Sequence, residues 1–190
     1  LPFLQQCLPG CRWQDATDLL HAQRARKTTD EISRLRVAHQ VAGLGLERFH
    51  QKVEPGRSEA ELAAEVYHAC LTGGTALAGV RHVNVYPQIS SGSNAHRAWR
   101  PVVSTGARRL ASGEIAVLEL AVCVDGFWAD VTRVKVAGRP RPVQRRAFAA
   151  VRTAQAAALA CMKAGVPASE PHTVATRCLV EAGFAEQVVH

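Results

Sequence analysis

Residues 114–138 read EIAVLELAVCVDGFWADVTRVKVAG, two apolar runs rich in strand-forming residues on either side of Asp125-Gly126. An Asp-Gly pair is favoured in a two-residue hairpin turn because both central positions need positive φ. With that turn, Val124 opposes Phe127, Glu119 opposes Thr132 and Asp130 opposes Ala121. Strand alternation then puts Glu119 and Asp130 on one face, diagonal to each other and within reach of a shared ion. Glu119 lies between Leu118 and Leu120, and Asp130 follows Phe127, Trp128 and Ala129. This predicts strongly apolar surroundings for both carboxylates. A buried carboxylate is costly unless it pairs or binds metal, and hard cations such as Mg²⁺ or Mn²⁺ suit its oxygens. The alternative is structural: Asp130 pairs with Arg133 or Arg146, and Glu119 faces solvent.

Helical patterns surround the hairpin. Thr28 and Glu31 have capping-box spacing, followed by Ile32, Leu35, Ala38 and Val41 at helical intervals. Ser58 and Glu61 repeat the capping box, with an apolar stripe of Leu62, Val66, Tyr67 and Cys70 that Gly73-Gly74 is expected to end. GVRHVNVYPQISSGSNA reads as a strand entering a loop, with His82 and Tyr86 on the strand. After the hairpin, an Ala-rich helix closes at Gly165 and a shorter one at Gly183. Residues 1–27 read as a linker with one short helix around DATDLLHAQ, and 28–190 as the domain. Helices, then sheet, then helices indicate an α+β fold.

Composition narrows the function. The chain has 190 residues, 47% of them hydrophobic, which suffices for one domain with a sizeable core. The net charge of +7 comes mostly from scattered arginines, and aromatics make up only 5%, so a nucleic-acid partner is not expected. No uncharged run approaches the roughly 18 residues of a membrane span. Leu1 is followed by no basic n-region or apolar signal core, which reads as a cytoplasmic protein and a piece of something longer. Of six cysteines, Cys70, Cys123 and Cys161 sit in apolar runs and read as small core residues.

The run EIAVLELAVCVDGFWADVTRV resembles the metal-binding hairpin of the creatinase/aminopeptidase, or pita-bread, superfamily. It is most similar to the proline-specific branch of prolidases and Xaa-Pro aminopeptidases, whose two hairpin acids are eleven residues apart, as Glu119 and Asp130 are here. RARKTTDEISRLRVAHQVAG resembles the helix opening the catalytic domain, and RSEAELAAEV the second helix. PQISSGSNA resembles the loop before the metal strand, and GRPRPVQRRAFAAVRTAQAAALACMKAGVPASE the helix after it. The resemblance covers residues 20 to 190.

It implies a pita-bread fold, incomplete at its C-terminus, and a peptidase acting on Xaa-Pro bonds of proline-containing peptides. It implies two divalent ions (Mn, Co or Zn), with Asp130 bridging both and Glu119 at the other hairpin position. The remaining ligands, a His and two Glu, would lie past His190, itself at the position of a substrate-contacting His. It further implies a homodimer, and makes residues 1–27 the joint from a missing N-terminal domain. Three positions depart from the pattern. Glu119 stands where the family carries Asp, Ala121 stands for Gly, and Trp99 occupies the substrate-side His position, with His96 nearby to substitute. Glu119 and Trp99 motivate another function, a peptidase fold that binds peptides without cleaving them; a third, which shares the fold but not the ions, is a metal-free amidinohydrolase of the creatinase kind.

Overall fold

A computed structural model describes residues 2–97 and 105–188. Among the described residues, six α-helices and three strands follow one another as α1 (Pro2–Cys7), α2 (Thr17–Ala25), α3 (Thr29–Lys52), α4 (Glu59–Thr75), β1 (Val83–Ser91), β2 (Ile115–Val124), β3 (Phe127–Val136), α5 (Pro142–Cys161) and α6 (Ser169–Glu181). A 3₁₀ helix, Gly92–Arg97, follows β1, and another covers Ala185–Gln187. The sheet order is β1-β2-β3. The N-terminal segment holds two helices rather than one, and no residue of either is buried.

The fold divides into two compact units whose boundary cuts across the long elements. The first comprises Leu1–Arg48, Val66–Pro87 and Leu120–Val131. At the start of α3, Glu31 accepts from Thr28 N at 2.7 Å while Glu31 N donates to Thr28 Oγ1 at 3.2 Å, the expected capping box. The core of this unit gathers Ala38, Val41, Val66, Cys70, Leu120 and Val122, all buried. Gly45 allows the close approach: a Cβ there would lie 2.5 Å from Cys70 Sγ and 3.0 Å from Leu120 Cδ2. Contrary to expectation, α4 runs through Gly73-Gly74 to Thr75. A Cβ on Gly73 would sit 2.6 Å from Leu44 Cδ1, and one on Gly74 2.8 Å from Val41 Cγ1. These glycines therefore serve helix packing rather than termination. Tyr67, expected in the apolar stripe, is exposed.

The second unit comprises Phe49–Glu65, Gln88–Glu119 and Thr132–His190. Ser58 and Glu61 form the second capping box, with bonds of 3.0 and 3.1 Å. Phe49, Leu62, Ile89 and Leu118 are fully buried here. Helices α5 and α6 pack on each other, and Ala150 and Ala154, one turn apart, are the buried residues of α5. Cys161 is only half-buried, unlike Cys70 and Cys123.

Candidate functional site

The hairpin has the expected register. Asp125 and Gly126 take φ of 47° and 91°, the positive pair of a type I′ turn. Beyond the strand ends, Ala137 N donates to Glu114 O at 2.8 Å and Gly113 N to Ala137 O at 2.7 Å. Glu119 therefore opposes Thr132, and Asp130 opposes Ala121. Asp125 also does what the sequence did not disclose: its carboxylate accepts from Arg81 N at 3.2 Å and His82 N at 2.9 Å. Desolvation pushes this carboxyl upward, but the two N–H bonds and the Arg81 charge outweigh it and hold it below its ordinary value. His82 O accepts from Asp125 N at 3.0 Å, so the start of β1 meets the end of β2 and the two strands run antiparallel.

The expected apolar surroundings of the two carboxylates are not found. Asp130 is exposed and Glu119 half-buried. Their apolar sequence neighbours Leu118, Leu120 and Ala129 are buried on the opposite side of the pleat. Trp128, in step with Asp130, is 53% exposed and stacks on Tyr86, ring centroids 5.7 Å apart at 21°. The structural alternative for Asp130 is not seen either: Arg133 Nη1 donates to Thr132 O at 2.8 Å, and Arg146 lies over the Phe184 ring.

His96 sits exposed in the 3₁₀ helix after β1. Trp99 and His190 lie outside the described residues. Among the described residues no group of three or more His, Cys, Asp or Glu side chains is placed to hold a metal. Carboxylate oxygens are chemically suited to a hard divalent ion; two of them are a partial donor set.

Sequence reasoning missed a polar network in the second unit. Glu59, 2% exposed, accepts from Ser91 Oγ at 2.7 Å and from Gly106 N at 3.1 Å. Arg108 Nη1 donates to Ser91 Oγ at 2.9 Å, and its guanidinium grips both oxygens of Glu114 at 2.8 and 2.5 Å. Hydrogen bonds from Arg108 and Ala111 N hold the Glu114 carboxyl below the ordinary carboxylate range. The available signal was Glu59 itself, a carboxylate inside the Ser58–Glu61 capping box. An open cleft of about 540 Å³ beside this network is lined by Gly92, Glu114, Arg139 and Gln144, and includes neither hairpin acid at 119 or 130.

The model of metallopeptidase family M24 matches residues 33–190. The probable dipeptidase PepE of Mycobacterium tuberculosis is 31% identical over 180 residues, which span 92% of this chain and 44% of that protein. The Xaa-Pro dipeptidase of Pyrococcus furiosus is 26% identical over 173 residues, 91% of this chain and 47% of that protein. Among solved structures, prolidase from Pyrococcus furiosus superposes with a TM-score of 0.79 at 26% identity, covering 91% of this chain and 49% of that one. The X-Pro aminopeptidase of Thermotoga maritima, at 21% identity, shares the fold with a TM-score of 0.82 over 97% of this chain and 50% of that one. The chain thus spans about half the length of the relatives it matches, and holds about half of their α+β pita-bread fold. No helix among the described residues is long and apolar enough to cross a membrane. With the family match running through the hairpin to the last residue, this chain belongs to metallopeptidase family M24.

Proposed function

We propose that this chain forms the N-terminal part of the catalytic domain of a metal-dependent peptidase that hydrolyses Xaa-Pro bonds. The observation that carries the reading is the hairpin register, which pairs Glu119 with Thr132 and Asp130 with Ala121, in a family of metallopeptidases. Asp130 would bridge two divalent ions (Mn, Co or Zn) and Glu119 would bind one of them, with further ligands contributed from outside residues 1–190. Bound metal supplies a Lewis acid and lowers the pKa of a water nucleophile. The chain's own residues supply the oxygen donors and the substrate side: His190 would position peptide or carry protons, Trp99 would stack on the proline ring, and His96 would substitute for the substrate-side His. The cytoplasmic location, the homodimer and the role of residues 1–27 as a joint belong to the same proposal and rest on the resemblance.

The deciding experiment is hydrolysis of an Xaa-Pro dipeptide and a longer Xaa-Pro peptide by the full-length protein, with Mn²⁺, Co²⁺ or Zn²⁺ and with chelator. Turnover that needs metal and is abolished by Asp130→Asn supports the reading. A second reading is favoured by Glu119 and Trp99 standing where the family carries Asp and His: a peptide-binding module without catalysis. Peptide binding without turnover, with turnover appearing in Glu119→Asp, would establish it. Turnover of a guanidino compound in the presence of chelator would point to an amidinohydrolase instead.

A further inference from the structure

We propose that the side-chain oxygen of Gln88 is a further ligand for the divalent ion that Glu119 holds. The proposal rests on the metal-dependent reading of the hairpin and adds a donor from the neighbouring strand.

The place of Gln88 follows from the β1–β2 register. Asp125 N donates to His82 O. Counting on from that bond along the antiparallel pair, Val85 opposes Val122, Gln88 opposes Glu119 and Ile89 opposes Leu118. Val85, Val122, Ile89 and Leu118 are all buried, as residues sharing the covered face should be. Ile89 N donates away from the sheet, to Thr105 Oγ1 at 2.9 Å. By alternation the N–H and C=O of Gln88 then face β2. Gln88 and Glu119 are therefore direct cross-strand neighbours on the opposite face, a relation that sets Cβ atoms about 4.5–5.5 Å apart.

The chemistry of this neighbour suits a cation. Gln88 is half-buried, and its Oε1 is closed off from solvent yet accepts no hydrogen bond among the described residues. Buried polar atoms are almost always satisfied, so this acceptor calls for a partner of another kind. A carboxamide oxygen is a neutral hard donor, which Mg²⁺- and Mn²⁺-like ions accept alongside carboxylates. Length fits as well. Glu119 is one methylene longer than the aspartate that the family resemblance puts there, and metal–oxygen bonds tolerate only about 0.2 Å. An ion held by the longer arm stands further from β2. Glutamine has the same reach as glutamate, so a glutamine on the adjacent strand can meet that ion where a shorter side chain would not.

The experiment titrates metal-free full-length protein with Mn²⁺ alone and reads the free ion by electron paramagnetic resonance. Wild type is compared with Gln88→Leu and Gln88→Glu, each first checked for a native circular dichroism spectrum. Gln88→Leu keeps the bulk and removes the oxygen, so the Kd of one ion is expected to rise about tenfold while the other stays within about threefold. Gln88→Glu keeps an oxygen and adds a charge, so its Mn²⁺ affinity is expected to equal or exceed that of wild type. This second variant reports even if Gln88→Leu fails to fold. Unchanged affinity in Gln88→Leu overturns the proposal. Weaker binding in Gln88→Glu also overturns it, and marks Gln88 as an NH₂ donor to Glu119 rather than a ligand. A wild type that binds no Mn²⁺ overturns the metal-dependent reading and the ligand with it. Mn²⁺ binding without Xaa-Pro turnover defeats the proposed function alone, and the titration still decides the role of Gln88.

Discussion

Trp128 on β3 stacks its indole against Tyr86 on β1, and both rings remain about half exposed on the strand face that also carries Asp130. The two rings therefore gain from each other rather than from a surrounding core. Such a pair contributes roughly 0.5–1.5 kcal/mol beyond area burial. Trp128→Ala is expected to lower the stability of this chain by no more than about 2 kcal/mol, whereas Leu118→Ala, a fully buried strand residue, should cost about 2–5 kcal/mol. Urea unfolding of the two variants measures both, and equal losses would refute the assignment of faces.

Two glycines two residues apart on α3 should respond in opposite directions to alanine. Gly43 has nothing within 4 Å of the position a Cβ would take. Gly43→Ala should stabilise by about 0.5–1 kcal/mol, the helix-propensity gain. At Gly45 the same methyl would press on Cys70, Leu120 and Val66. Overpacking there should reverse the sign, a loss of about 1–3 kcal/mol. Thermal unfolding of the pair tests this.

Asp125 combines a turn conformation with two side-chain hydrogen bonds, and substitutions separate the two. Asp125→Gly relieves the positive φ but leaves Arg81 N and His82 N without their acceptor. Asp125→Asn keeps an acceptor and tolerates the left-handed region. Asp125→Ala loses both features and should be the worst, by about 2–3 kcal/mol. Chemical denaturation should rank Asn least damaging and Ala most.

Glu114 supplies a pH dependence. Its carboxyl is depressed in the folded protein, chiefly by the Arg108 hydrogen bond. A depressed acid contributes stability that is fully present above its unfolded value, here about 4.5, and is lost as pH falls through the folded value. Glu114→Gln should therefore be destabilised at pH 7, by about 1.5–3 kcal/mol, and the gap to wild type should narrow as pH falls below about 4.5. A gap that stays constant with pH would rule out the charged pair as its source.

Burial pushes the Cys70 thiol up to about 11. With the protein folded at pH 8, Cys70 should resist a thiol reagent while the exposed Cys7 and Cys11 are labelled. Mass spectrometry after brief alkylation reads this directly, and labelling of Cys70 at the rate of Cys7 would contradict its packing.

The hairpin was legible from sequence because its determinants are local. Asp125-Gly126 needs no distant partner to favour a type I′ turn, and strand pairing then follows from chain connectivity. The two capping boxes were legible for the same reason, since each joins residues three apart. What alternation could not reveal is which side of the hairpin is buried. Leu118 and Glu119 are neighbours in sequence but face opposite ways, and only the packing of the sheet makes one core and leaves the other half-exposed. Gly73-Gly74 likewise reads as a stop until α3 is seen pressing against it. The polar network around Glu59 was beyond sequence reasoning altogether. Its partners stand 32 and 47 positions away, and nothing in local propensity selects them. Local periodicity and turn chemistry thus decided the elements and the hairpin that carries Glu119 and Asp130. Tertiary contacts between distant residues decided which faces are covered and which groups satisfy the buried Glu59.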